Sequence, residues 1–182
     1  MPEYVLESGR RLRLRPDDAV GKGGEADIYI DGGYAVKLFK SPNHADLADD
    51  PLEQAKARDR IADHQRKLPG FPKGLPASVI VPRELVYDTN GQIAGYCMDL
   101  VSDAEVLYRY GERPFRDAGV TDETAVAVLV NLHQAVAGVH AHPAHIVISD
   151  FNDLNVLVQG RAAYLIDADS MSWGTWKSRQ FT

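Results

Sequence analysis

A chain of 182 residues suits one ordinary domain or two small lobes sharing a cleft. With 45% hydrophobic and 25% charged residues it reads as a soluble globular protein, and no stretch approaches the ~20 apolar residues of a membrane span. The net charge of -6 argues against nucleic acid as the main partner. The single cysteine, Cys97, excludes an internal disulfide and fits a reducing cytosol, and Met1 to Arg15 lacks the apolar centre of a secretory signal.

In chain order, Tyr4-Val5-Leu6 and Leu12-Arg13-Leu14 flank a Ser8-Gly9 turn, and the basic residues from Arg10 to Arg15 alternate as on a strand with one solvated face. Ala26 to Ile30 and Tyr34 to Phe39 flank Asp31-Gly32-Gly33, a hairpin. Pro51 starts a helix to about Leu68, stopped by Pro69-Gly70, with Glu53, Ala57, Ile61, His64 and Leu68 along one side. Phe71 to Pro82 is a proline-rich loop. Arg83 to Tyr87 and Gln92 to Val101 then flank the turn Asp88-Thr89-Asn90-Gly91. After Val101, Ala104 to Tyr110 suits a short helix and Thr121 caps a long one to about Ala141. His145 to Asp150, Val156 to Val158 and Ala163 to Ile166 are short strand-like runs. The long helix carries two apolar faces: Val126, Leu129, Val130 and Ala137 on one, Ala125, Val128, Leu132, Ala135 and Val139 on the other.

Val20-Gly21-Lys22-Gly23-Gly24-Glu25-Ala26 lies between strands. Glycines there let a backbone approach phosphate oxygens, but a plain tight turn wants them equally. Nine residues past Ile28, Ala35-Val36-Lys37 ends in a lysine that, alone, is equally a solvated strand residue. Asp150 and Asn155 stand five apart between apolar runs, and Asp167 with Asp169 follows a further apolar run. Cys97 reads as a small buried hydrophobe. His133, His140, His142 and His145 have no metal-ligand spacing and read as surface or helix-end residues, and Trp173 and Trp176 as a hydrophobic anchor.

Together these segments resemble the protein-kinase signatures, in order: a glycine-rich loop, V-A-I-K at Ala35-Val36-Lys37, the catalytic-loop Asp and Asn at Asp150 and Asn155, and the metal-binding Asp at Asp167. Gly21 to Glu25, Ser149 to Asn155 and Ile166 to Ser170 are most similar to bacterial serine/threonine-kinase-like proteins of the YegI type. The resemblance implies an α+β, bilobal protein-kinase-like fold, with an antiparallel-sheet N-lobe at 1–100 and a truncated helical C-lobe at 101–182. It also implies roles. Gly21, Gly23 and Gly24 would cover the phosphates of ATP. Lys37 would hold them, oriented by Glu53 or, as runner-up, Asp59. Val20 and Ala35 would sandwich adenine, with Met98 as gatekeeper and the backbone from Asp99 to Val101 bonding its edge. Asp150 would orient the acceptor hydroxyl, and Asn155 and Asp167 would hold Mg2+.

Departures from the family pattern accompany the matches. Ala26 replaces the third glycine, Ile148-Ser149 replaces His-Arg, Asn152 stands where a lysine is usual, and Asp167-Ala168-Asp169 replaces Asp-Phe-Gly. No Ala-Pro-Glu follows. The resemblance therefore implies a cytoplasmic ATP- and magnesium-dependent serine/threonine kinase of unknown protein substrate. A pseudokinase scaffold and a compact RIO-like or small-molecule kinase are the alternatives. It further implies that a second copy, a partner protein or a C-terminal extension covers one face of the long helix.

Overall fold

The structure, a computed structural model, describes residues 3–177. Met1, Pro2 and 178–182, which the expected lobes include, lie outside the described residues. The chain forms two compact units: one runs through Phe71 and resumes over Pro82–Leu100, the other takes Pro72–Val81 and the chain from Val101 onward.

The first unit is built on seven antiparallel strands: β1 (Glu3–Leu6), β2 (Arg11–Arg13), β3 (Gly21–Lys22), β4 (Ala26–Asp31), β5 (Tyr34–Phe39), β6 (Glu84–Tyr87) and β7 (Ile93–Asp99), in the order β2-β1-β6-β7-β5-β4-β3. Its hairpins close where the turn residues demand. Gly32 and Gly91 take φ of 63° and 75°, a region an L side chain rarely enters. Asp88 also ties its turn with Oδ1 accepting from the N–H groups of Asn90 and Gln92.

Alternation along β5 gives the sheet two faces. Val36 and Leu38 join Leu6, Leu12, Leu14, Tyr29, Val86 and Cys97 in a core cluster. Leu6, Leu12, Val36 and Val86 are at most 2% exposed, each contributing ~1.5–3 kcal/mol over an exposed side chain. Ala35, Lys37 and Phe39 point the other way, opposite Met98 and Tyr96 of β7 and Ile28 and Ala26 of β4. Helix α1 (Pro51–Lys67) covers that second face: His64 stacks on Phe39 with ring centroids 4.1 Å apart. Gln65 also bonds both the carbonyl and the N–H of Ile93, each at 2.8 Å. The helix starts at Pro51 because Asp50 accepts from the N–H groups of Leu52 and Glu53, and Pro51 needs no acceptor at that position.

In the second unit β8 (Glu105–Val106), β9 (Val156–Gln159) and β10 (Ala162–Leu165) form a sheet in the order β10-β9-β8. Short helices α2 (Leu107–Gly111) and α3 (Arg113–Asp117) precede the long α4 (Asp122–His140), whose first turn is capped by Thr121 Oγ1 accepting from Thr124 N–H. The proline-rich segment is a structural partner here. Leu165 N–H donates to Ser78 O and Ile80 N–H to Leu165 O, both at 2.8 Å, so residues 78–80 run parallel to β10. Gly138 lets α4 approach Pro76, whose ring would stand 2.6 Å from an added Cβ.

Two local expectations are corrected. Ala104 to Tyr110 is not one helix, because Glu105 and Val106 pair with Val158 and Leu157 before the helix begins. His145 to Asp150 forms no strand beyond the single bridge Val147–Ser172, since His145 turns the backbone at a φ of 52°. Of the two apolar faces of α4, Val128, Leu132, Ala135 and Val139 are buried, while Val126, Leu129 and Val130 are exposed. Among the described residues no helix is long and apolar enough to cross a membrane.

Candidate active site

In the first unit the chain enters the glycine turn with Val20 N–H donating to Ile28 O, and β3 pairs Gly21 with Ile28 and Lys22 with Asp27. The turn closes through Gly23 N–H on Ala26 O at 2.9 Å, and Lys40 N–H takes Glu25 O at 2.9 Å. None of Gly21, Gly23 and Gly24 has a positive φ, so backbone conformation does not call for glycine. Space differs along the turn. A Cβ at Gly23 would crowd Ala26 O at 3.3 Å, whereas one at Gly24 would meet nothing within 4 Å. Val20, beside the turn, is exposed.

Lys37 is 6% exposed, with its Nζ 5.8 Å from the Tyr96 ring centroid and 5.9 Å from that of Phe39, so its charge lies in low-dielectric surroundings. Ala35 and Met98 are directly opposite on β5 and β7 and both buried. Asp99, at the end of β7, forms an exposed ion pair with Arg83 at 2.9 Å, and the second unit resumes at Val101. Glu53, expected to orient Lys37, forms an exposed ion pair with Lys56 at 2.7 Å on the first turns of α1. The buried residues of α1 are Ala57, His64 and Lys67. The runner-up, Asp59, is exposed.

In the second unit Asp150 is held by its own loop. Asn152 Nδ2 donates to Oδ1 at 2.9 Å and Asn155 Nδ2 to Oδ2 at 2.8 Å, with a second contact from Asn155 Nδ2 to Asp150 O at 3.0 Å. Asn152 Oδ1 accepts from the N–H groups of Leu154 and Asn155, closing an Asx turn. This fixes the amide orientations by chemistry: each Nδ2 faces carboxylate or carbonyl oxygen, which leaves Asn155 Oδ1 as the oxygen available to a further partner. The β9–β10 register then pairs Val156 with Leu165, and Ile166 N–H donates to Asn155 O at 3.0 Å, setting Asn155 beside the chain that leads into Asp167. Asp167 itself takes a left-handed φ of 63°, and its carbonyl accepts from Ser170 N–H and Oγ at 3.0 and 2.8 Å. A non-glycine residue there carries backbone strain of the kind that concentrates at functional positions.

Sequence reasoning took Asn152 only as a lysine lost and did not see that its side chain binds Asp150. Asn-x-x-Asn after an Asp is an Asx-turn signal that points that way. It also missed Ser149, whose hydroxyl meets that of Ser172 at 2.7 Å, while Val147 and Ser172 exchange backbone hydrogen bonds at 2.9 Å. These bonds tie the start of the Asp150 loop to the segment after Asp167. Asn152→Ala is expected to lower stability by ~1–3 kcal/mol, since it removes two accepted N–H bonds and one donated to a carboxylate, as thermal or urea unfolding would register.

No protein-family model matches the chain, and no curated protein matches it. Solved structures do. The chain is similar to one described as a co-crystal structure of WbdD and the kinase inhibitor LY294002, at 17% identity and a TM-score of 0.55, over 85% of this chain and 33% of that one. It is also similar to the Mycobacterium tuberculosis PknI kinase domain, at 20% identity and a TM-score of 0.50, over 82% of this chain and 55% of that one. The fold is protein-kinase-like, and the chain spans between a third and about half of the length of these structures.

Proposed function

We propose that the chain is an ATP- and magnesium-dependent phosphotransferase acting on serine or threonine hydroxyls of a protein, in the reducing cytosol. The observation that carries this reading is the Asp150 loop: a carboxylate gripped on both oxygens by amides, with the Asn155 amide oxygen and the Asp167 carboxylate following along one short hairpin. Phosphoryl transfer is mostly positioning and charge neutralisation, and such a loop positions. Asp150 would accept the hydroxyl hydrogen bond and orient the acceptor. Asn155 Oδ1 and Asp167 are hard oxygen donors and fit a magnesium ion, which when bound would neutralise phosphate charge. In the first unit, Lys37 would serve the α- and β-phosphates, and the open backbone at Gly24, with Gly21 and Gly23, would lie along them. Val20, Ala35, Met98 and the backbone from Asp99 to Val101 would form the adenine side. Glu53, which meets Lys56 in an exposed ion pair on the first turns of α1, would orient Lys37, with Asp59 as the runner-up.

Incubation with γ-labelled ATP, magnesium and a generic protein tests the reading. Label in the chain or in the added protein is expected, and binding of ATP without any label would overturn turnover. The pseudokinase reading has one observation of its own: the loop from Ser149 to Asn155 carries no lysine or arginine, and Asn152, at the usual lysine position, spends its amide on Asp150. It predicts tight ATP binding with no label.

Lys37→Met is expected to weaken ATP binding by ~1.5–3 kcal/mol, about tenfold or more, through loss of a charge-assisted contact. Titration calorimetry in magnesium checks it, and equal affinities in the two proteins would remove Lys37 from the site.

A further inference from the structure

The glycine turn is held by two basic side chains that the nucleotide reading leaves unused, Lys40 through the Gly23 carbonyl and Arg60 through Glu25. Lys40, with its side chain 4% exposed, donates from Nζ to Gly23 O at 2.6 Å and to Asp46 Oδ2 at 2.5 Å. Behind it Asp27, 8% exposed, stands 3.7 Å from the same Nζ, an ion pair too long for a hydrogen bond, and lies 3.4 Å from His44 Nε2. A buried ammonium is retained only where anions and carbonyls offset its desolvation, and here one of the offsetting groups is a carbonyl of the turn. On the far side of the turn, Arg60 of α1, its side chain 15% exposed, pairs with Glu25 at 3.1 Å.

The consequence lies in one peptide plane. In a trans peptide the carbonyl of one residue and the N–H of the next point in opposite directions. Lys40 draws the Gly23 carbonyl inward, so the Gly24 N–H faces the opposite way, and the space around Gly24 is open, since a Cβ there would meet nothing within 4 Å. We propose that Lys40 and Arg60 are positioning residues that lock the Gly21–Ala26 turn, so that the Gly24 amide meets a nucleotide's phosphates already aimed. The turn is then a fixed cradle and not a lid that closes, and the affinity it adds comes from ordering completed before binding. This rests on the reading of the turn as a phosphate cradle. It adds that a buried lysine three residues past Lys37 works through backbone and never touches the ligand.

The test compares ATP and adenosine on the full chain, together with hydrogen exchange of the turn amides. In Lys40→Met, ATP affinity is expected to fall about tenfold while adenosine affinity holds, and turn amides exchange at least tenfold faster. Lys40→Arg restores both. Glu25→Gln removes an exposed carboxylate and releases only the Arg60 end, leaving the Lys40 contacts in place, and should weaken ATP about threefold with faster exchange. It also keeps the proposal testable where Lys40→Met does not fold. A merely structural role would weaken ATP and adenosine together, and that result overturns the proposal, as does unchanged exchange in both Lys40→Met and Glu25→Gln. If the wild-type chain binds neither ligand, the phosphotransferase reading fails. The lock then stands or falls on the exchange rates alone.

Discussion

Gly95→Ala is expected to destabilise the first unit by at least about 3 kcal/mol, the upper part of the range for overpacking a core. Gly95 sits opposite Leu38 on β5 and Val86 on β6. A Cβ built there would lie 2.0 Å from Lys37 O and 3.1 Å from Leu38 Cα. Both are backbone atoms of the neighbouring strand, so no rotamer change relieves the clash. The strands must part, and the ladder that carries Lys37 parts with them. Against a typical total of ~5–15 kcal/mol, such a loss leaves much of the protein unfolded at physiological temperature. Urea unfolding should show a lower midpoint at unchanged slope. Gly24→Ala is the control: with open space and no positive φ, it should stay within ~0.5 kcal/mol of wild type. A wild-type midpoint for Gly95→Ala would mean that the strands are not as close as described.

Asp150→Asn and Asp167→Asn are expected to fail in different ways, because the proposal gives one an orienting role and the other a metal. Asp150→Asn should retain ATP binding and lose turnover by ~10²–10⁴-fold. Its new amide can accept from one of the two asparagine donors but meets the other with an N–H, so a stability loss of ~1 kcal/mol should accompany it. Asp167→Asn removes a carboxylate ligand, and ATP binding should lose its dependence on magnesium. Calorimetry with and without magnesium, beside a labelled-phosphate assay, separates the two. If Asp150→Asn abolishes ATP binding in a folded protein, the assignment of roles is wrong.

How far all this could be read beforehand varies by element. Turns written in local chemistry were legible: Asp31-Gly32-Gly33 and Asp88 to Gly91 close hairpins where expected, and Pro51 and Thr121 mark the starts of the two long helices. Pairings across long separations were not. β8 is two residues long and exists only because β9, some fifty residues on, offers it a partner. The segment from Pro72 to Val81 reads as a loop by its prolines, and nothing local announces that Ser78 and Ile80 bond to Leu165. The site divides in the same manner. Asp150, Asn155 and Asp167 stand out by spacing, and the β9–β10 hairpin sets Asn155 opposite Ile166, the residue before Asp167. The choice of Glu53 rests on helical periodicity, which finds a face of α1 and does not by itself name the partner of Lys37. Lys40 carries no local signal of its role, because burial of its Nζ depends on Asp27, Gly23 and Asp46 folding around it.

The chain passes between the two units at 71/72, 81/82 and 100/101. Neither unit is therefore a single stretch of the gene. A fragment cut at residue 100 would carry Ser78 to Ile80 without β10, leaving their exchanged hydrogen bonds to water. A fragment beginning at 101 would have Leu165 with an unpaired edge and α4 with a bare notch at Gly138 where Pro76 belongs. Swapping one unit for that of a related protein would need three matched junctions, not one. Recombination at a lone crossover point can seldom supply them, so the two units are expected to be inherited as a pair.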